Sequence, residues 1–379
     1  MASTVAWLRW ARTNSSERPH DTASFARAVE YPPQATRGRA TAPFAGLIRS
    51  LVCPGVTRSL KRLLKAAAPL VDLCLAPLLV PAAALMKLVR RVGVERLPVC
   101  RKVLSVFGVF PVADHYYEPL IEFSSLRHPL DQRRNLPGID MNVAGQLALL
   151  GQFRFSEELR PFTELTTDEL TYSFGNGFFD SGDAEFLYNL IRLRKPARIV
   201  EIGSGHSTLI AIAAIRNNQK DDAGYRCEHI CIEPYEAPWL ERSGVAVHRE
   251  QVETVDRSVF DQLASGDLLF IDSSHVIRPQ GDVLCEFLEI IPMLQQGVVV
   301  HVHDVFTPRD YPKSWVVDKV RLWNEQYLLE ALLTGNPSWS IIGALNFLHH
   351  EHPQQLAATC PFLTKDREPC SFYIERVAD

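Results

Sequence analysis

Residues 198–218 read Arg-Ile-Val-Glu-Ile-Gly-Ser-Gly-His-Ser-Thr-Leu-Ile-Ala-Ile-Ala-Ala-Ile-Arg-Asn-Asn. A short β-branched apolar run breaks at a Gly-x-Gly turn, and apolar residues then recur at helical spacing. The stretch predicts a strand, a tight loop and a helix in direct succession. Gly203 and Gly205 let backbone approach a ligand closely, and the helix start offers unpaired N–H groups. A dinucleotide fingerprint would need a third glycine where Thr208 stands, and no G-x-x-x-x-G-K-[ST] occurs, which excludes a P-loop. Glu201, two residues before Gly203, gives a pyrophosphate nothing and suits a cationic ligand.

Outward from this stretch the same alternation repeats. Ser181-Gly182-Asp183 opens a helix that Pro196 closes. Further short apolar runs cover 229–234, 245–251, 267–272 and 297–304, with a helix through 281–294. Apolar strands alternating with helices predict an α/β fold, a mostly parallel sheet with helices on both faces. Right-handed crossovers gather the loops after each strand along one edge, where ligands of open α/β sheets bind. On that edge fall Glu201, Gly203, Ser204, Gly205, Ser207, Glu233, Gln251, Asp272, His275, His303 and Asp304. Glu233, ending the second strand, is placed to take two ribose hydroxyls. With Glu201 and the glycines it asks for an adenosine carrying a positive group and no phosphates, which describes S-adenosyl-L-methionine.

Ile199–Gly205, Cys231-Ile-Glu-Pro234 and Leu269–His275 resemble successive motifs of class I S-adenosylmethionine-dependent methyltransferases. Gly281 through Asp304 is similar to the subgroup of metal-dependent sugar and natural-product O-methyltransferases. The resemblance covers about residues 170–350. It implies a Rossmann-like seven-stranded sheet ending in an antiparallel pair, for which 339–345 and 371–377 are the candidates. It further implies that Asp272 and Asp304 hold Mg²⁺ or another divalent metal and that His275 is the general base. His303 stands where that subgroup has a further acid, so it could ligate a softer metal, donate a hydrogen bond or cap the strand. His301 is read as core, facing away from His303. The implied reaction is O-methylation of a hydroxylated small molecule or glycosylated acceptor. A nicotinamide-dependent oxidoreductase is disfavoured by Thr208 and Glu201.

The 379 residues are 46% hydrophobic and 22% charged, which excludes a fully disordered, collagen-like or coiled-coil chain. Residues 1–102 hold 17 Lys and Arg against 5 Asp and Glu, whereas the remainder holds 23 against 39. An acidic body argues against nucleic acid as partner, and the basic arm suits an anionic surface. The eight scattered cysteines form no C-x-x-C pair, as expected of reduced thiols in the cytoplasm. Residues 1–45 read as a disordered basic arm, equally a transit peptide or a misassigned start. Residues 46–100 read as basic and apolar helices; 66–86 is long enough to span a membrane, but Asp72, Pro69, Pro77 and Pro81 favour helices on the body or on a membrane surface. Residues 101–180 are expected to be a helical accessory or lid region and 181–379 the methyltransferase-like domain. Aromatic and polar stretches at 114–119, 133–140, 172–177, 309–315 and 323–327 suit a lid for the acceptor. The rival reading is a membrane-tethered binding protein that keeps the fold without catalysis.

Overall fold

The computed structural model describes residues 58–113, 115–164 and 166–378, with side-chain environments from Ala67 onward. The arm expected over 1–45, the first residues of the 46–100 segment and Asp114 of one expected lid stretch lie outside the described residues. The chain divides into two compact units, Met1–Cys100 and Arg101–Asp379.

In the first unit, helix α1 (Arg58–Val92) is continuous for 35 residues through Pro69, Pro77 and Pro81. The prolines that weigh against a membrane span in the sequence do not interrupt the helix. Each proline removes one backbone bond and crowds the preceding turn, but spacings of eight and four residues leave intact turns between them. The side chains of Leu70, Leu73, Leu78 and Val80 are exposed. Helix α2 (Pro98–Phe107) follows.

The second unit is built on seven strands: β1 (Arg198–Ile202), β2 (Glu228–Ile232), β3 (Ala246–His248), β4 (Leu268–Ile271), β5 (Val299–Val302), β6 (Trp339–Ala344) and β7 (Phe372–Arg376). Their spatial order is β3-β2-β1-β4-β5-β7-β6. β1 to β5 pair in parallel, and β7 runs antiparallel to both β5 and β6. This is the mostly parallel, Rossmann-like seven-stranded sheet with helices on both faces that the sequence predicts, including the closing antiparallel pair. The third strand is shorter than the expected 245–251. β4 and β5 are buried along their whole length, because helices cover both faces of the central strands. Each fully buried Val, Leu or Ile side chain there contributes roughly 1.5–3 kcal/mol.

Helices α3 (Val143–Leu150), α4 (Asp183–Arg194) and α5 (His206–Asp221) are followed by the single turn α6 (Asp282–Cys285) and then α7 (Glu325–Leu333). After α6 the chain continues through a π-helical turn at Glu286–Ile290, so the long helix expected over 281–294 is irregular. Residues 101–180 are largely loops with short helical turns rather than the helical region expected. Gly182 caps the start of α4, and its N–H donates to Glu185 Oε2 at 2.8 Å, while the Phe362 N–H donates to Glu185 Oε1 at 2.8 Å. Strand order reverses between β1 and β4, and the crevice at such a switch point is where the informative loops converge.

Candidate active site

The loop between β1 and α5 is shaped by one glycine. Gly203 has φ +79°, and a Cβ there would stand 1.9 Å from the Asp272 carbonyl oxygen. The ends of β1 and β4 are thus in backbone contact, reinforced by the Asp272 N–H donating to the Ile202 carbonyl at 2.9 Å. Gly205 has open space around it, and its N–H donates to Thr208 Oγ1 at 3.1 Å, capping α5.

Glu201 departs from the expectation that it faces a cation. It is 1% exposed, and its carboxylate accepts from Ser207 Oγ, from Thr208 Oγ1 at 2.7 Å and from the Cys231 thiol at 3.5 Å, with His229 Nε2 at 3.1 Å. It ties α5 to β1 and β2 from beneath the loop and takes Ser207 with it. Its partners on β2 come from register, Glu201 lying opposite Cys231, which spacing along the chain does not reveal. Ser204 lines the cleft with a buried hydroxyl that has no partner among the described residues.

Glu233 ends β2 as expected. Its Oε1 accepts the Tyr235 and Glu236 N–H groups, both at 2.8 Å, while Oε2 meets only the Ser204 N–H at 3.4 Å. One oxygen is thus saturated and the other retains lone pairs beside the cleft. Gln251 sits across from it, donating to Tyr235 Oη at 2.7 Å.

Asp272 and Asp304 come together at the ends of β4 and β5, with His275 behind them. His275 Nε2 lies 3.3 Å from Asp272 Oδ1 and 3.5 Å from Asp304 Oδ2, while Nδ1 is 2.8 Å from Glu325 Oε2. Glu325, on α7, is wholly buried and was not singled out in the sequence, although it falls inside the 323–327 stretch. His275 and Asp304 both hold left-handed backbone, φ +60° and +58°, a conformation uncommon outside glycine. Burial alone would depress the His275 pKa, but hydrogen bonds to Asp272 and Glu325 prevail and hold it well above the ordinary imidazole value. Burial likewise pushes the Asp272 carboxyl up, yet the positive field of His303 and the bond to His275 win, leaving it at about 2. His275 itself does not line the cleft; Asp272 and Asp304 do.

His303 joins a different group from the Asp272 pair, next to Cys370 and Ser371 at the start of β7. His301 is fully buried as expected, stacked on Phe270 at 4.0 Å between ring centroids. It does not face away from His303, however: the rings are 5.6 Å apart and both approach Phe179, as the two-residue period of a strand requires.

The glycine loop, Glu233, Gln251, Asp272, His303 and Asp304 line one cleft of about 1440 Å³, together with Phe178, Trp315, Arg321 and Trp323. The Arg321 guanidinium lies 4.5 and 4.1 Å from the Trp315 and Trp323 ring centres, and the Trp323 ring packs 4.3 Å from His275. Of the expected lid stretches, 172–177, 309–315 and 323–327 contribute to the cleft through Ser173, Gly177, Pro312, Ser314, Trp315 and Trp323. Arg134 instead pairs with Glu330 and Asp310 away from it, and Tyr116 and Tyr117 are exposed.

Residues 200–305 match the model of a family described as a methyltransferase domain. An uncharacterized protein of Archaeoglobus fulgidus is 31% identical over 173 residues, which cover 42% of this chain and 76% of that protein. The chain belongs to the class I S-adenosylmethionine-dependent methyltransferases. Solved structures similar to it include the O-methyltransferase from Bacillus cereus in complex with SAH, at 15% identity and a TM-score of 0.31, covering 62% of this chain and 90% of that one. The plantazolicin methyltransferase BpumL is similar at 10% identity and a TM-score of 0.32, covering 54% and 87%. Within the methyltransferase domain, the matched segment runs from β1 to just beyond Asp304, and so takes in the glycine loop, Glu233 and the acid pair.

Proposed function

We propose that the cleft binds S-adenosyl-L-methionine and that the enzyme moves its methyl group to a hydroxyl oxygen of a small, ring-bearing acceptor, such as a sugar or a glycosylated molecule. The observation that carries this reading is the Asp272–Asp304 pair standing on the wall of the cleft that also holds the glycine loop and Glu233. The residues fit the cofactor. A side chain at Gly203 is sterically forbidden, the buried Ser204 hydroxyl lacks a partner, and Glu233 Oε2 has lone pairs left for ribose hydroxyls.

In methyl transfer the carbon–sulfur bond breaks with its electron pair going to sulfur, while the acceptor oxygen forms the new bond to carbon. The hydroxyl proton must leave, and we assign its uptake to the Asp272–Asp304–His275 group as a unit, in which the two carboxylates face the cleft and His275 Nε2 stands behind them, within 3.3 and 3.5 Å of them. Glu325 on Nδ1 fixes the ring and stabilises the imidazolium, the orienting role that a carboxylate plays behind a histidine base. Trp315, Arg321 and Trp323 offer flat faces and a donor to a ring-bearing acceptor. Two carboxylates and an imidazole backed by a buried acid also fit a divalent cation. Bound to Asp272, Asp304 and His275, such an ion would supply Lewis-acid lowering of the hydroxyl pKa.

The apolar, exposed α1 favours a second element of the reading, attachment to a membrane, with the body in the cytoplasm, where the free thiols of Cys227, Cys231, Cys285, Cys360 and Cys370 would persist. The test of the cofactor assignment is calorimetric titration with S-adenosylhomocysteine, with and without Mg²⁺, beside Glu233→Ala. Micromolar binding is expected in the unmodified protein, at least tenfold weaker in the variant, with methyl transfer to catechol or sugar acceptors. A folded sample that shows no binding would overturn the methyltransferase reading and leave the tethered binding protein.

A further inference from the structure

We infer that His303, Asp304 and Cys370 form a site for a soft divalent metal ion of the zinc class, on the wall of the cleft and separate from the oxygen-rich Asp272 side. The thiol Sγ of Cys370 lies 3.2 Å from Asp304 Oδ1 and 3.8 Å from His303 Nε2, and His303 Nε2 lies 3.7 Å from Asp304 Oδ1. A triangle with those sides has a centre about 2.1 Å from every corner, close to the roughly 2.0–2.3 Å bonds that zinc makes to oxygen, nitrogen and sulfur. The donors are a carboxylate, an imidazole and a thiol, a set whose softness selects zinc-like ions over Mg²⁺.

The surroundings hold these donors in place. Asp183, wholly buried at the start of α4, accepts the Cys370 N–H at 2.9 Å and the Ser371 N–H at 2.8 Å, fixing the entry to β7. Ser371 Oγ in turn meets His303 Nδ1 at 3.4 Å, leaving Nε2 toward Asp304 and Cys370. Such outer partners are what orient metal-binding histidines. Asp304 serves both sides with different oxygens, Oδ2 toward His275 and Oδ1 toward Cys370. His303, Asp304 and Cys370 all line the cleft, although His303 is 5% and Cys370 4% exposed. Three protein ligands with an open side toward a cleft are the pattern of zinc sites that take water or substrate as the fourth ligand.

A second cysteine, histidine and carboxylate group, Glu201, His229 and Cys231, has similar spacing. There the carboxylate already accepts two hydroxyls, and none of the three side chains lines the cleft, so no side is open to a water or substrate ligand. It provides the internal control.

The site stands whether or not the cleft methylates anything, so its test reads the metal directly. Full-length protein stripped of metal is titrated with Co²⁺, and the thiolate-to-cobalt charge-transfer absorption is followed, with Zn²⁺ then added to displace it. One Co²⁺ per chain with a thiolate band is expected. The band should vanish in Cys370→Ala, affinity should fall at least tenfold in His303→Ala, and the band should persist in Cys231→Ala and Asp272→Asn. No thiolate band at saturating Co²⁺, or a band that survives Cys370→Ala, overturns the site. X-ray absorption of the zinc-loaded unmodified protein decides the matter independently of how any variant folds: one sulfur neighbour supports the site, and a shell of nitrogen and oxygen alone overturns it.

Discussion

A methyl group added at Gly203 would meet the Asp272 carbonyl oxygen at 1.9 Å, on backbone with φ +79°. Gly203→Ala must therefore move β1 from β4 or strain the turn. We expect a stability loss of about 2–3 kcal/mol, read as a lower urea midpoint, with weaker S-adenosylhomocysteine binding by calorimetry. A second residue predicts a pH effect. Burial, with the charges of Asp183 and Asp180, outweighs the N–H bonds from Phe362 and Gly182 and raises the Glu185 carboxyl from 4.5 to about 7. The folded state thus binds this proton more tightly than the unfolded chain, so Glu185 favours folding most below pH 4.5 and loses that advantage as pH rises to about 7. The stability advantage of the natural protein over Glu185→Gln should shrink across that window and level off above it, as measured by denaturant titration at several pH values. At this scale the sequence was legible where a residue's place follows from its own strand, as for Gly203, Glu233, Asp272 and Asp304, which line one cleft. It misled where the partner arrives from elsewhere in the fold. Glu201 is consumed by groups on α5 and β2, nothing near residue 303 in the chain announces Cys370, and nothing near residue 275 announces Glu325.

Among elements, β1, β2, β4 and β5 were readable because each is an unbroken apolar run ended by a polar residue. β3 is only three residues long, at the sheet edge, where apolar burial gives a weaker signature. α1 shows the opposite limit, since its three prolines weigh against a long apolar helix in the sequence and yet lie inside a continuous one. Ala67–Val92, 26 residues long and apolar enough to cross a membrane, extends for about 39 Å at 1.5 Å per residue, against about 30 Å of hydrocarbon. Its exposed leucines and valines are flanked by Lys87, Arg90 and Arg91 at one end. Full-length protein is expected to float with phosphatidylserine-containing vesicles in a density gradient, and the double substitution Leu73→Lys and Val80→Lys to leave it in the soluble fraction. Equal flotation of both proteins would remove α1 from the membrane reading.

Over the whole molecule, the alternation of strands and helices was legible because an open parallel sheet must bury both of its faces, which writes the same pattern five times. The region before the sheet was less so. Residues 101–180 are held by particular contacts, such as Arg134 with Glu330, that leave no periodic trace. The order of the strands carries a consequence for how the protein is made. β7 lies between β5 and β6 and pairs with both, so during synthesis the two earlier strands wait with open hydrogen-bonding edges until residues 372–376 leave the ribosome. Exposed strand edges invite pairing with other chains, which makes the interval before the last strand arrives the one in which a nascent chain most needs a chaperone. Cys370 is delivered in the same final step, so a wall of the cleft is finished only as the sheet itself closes.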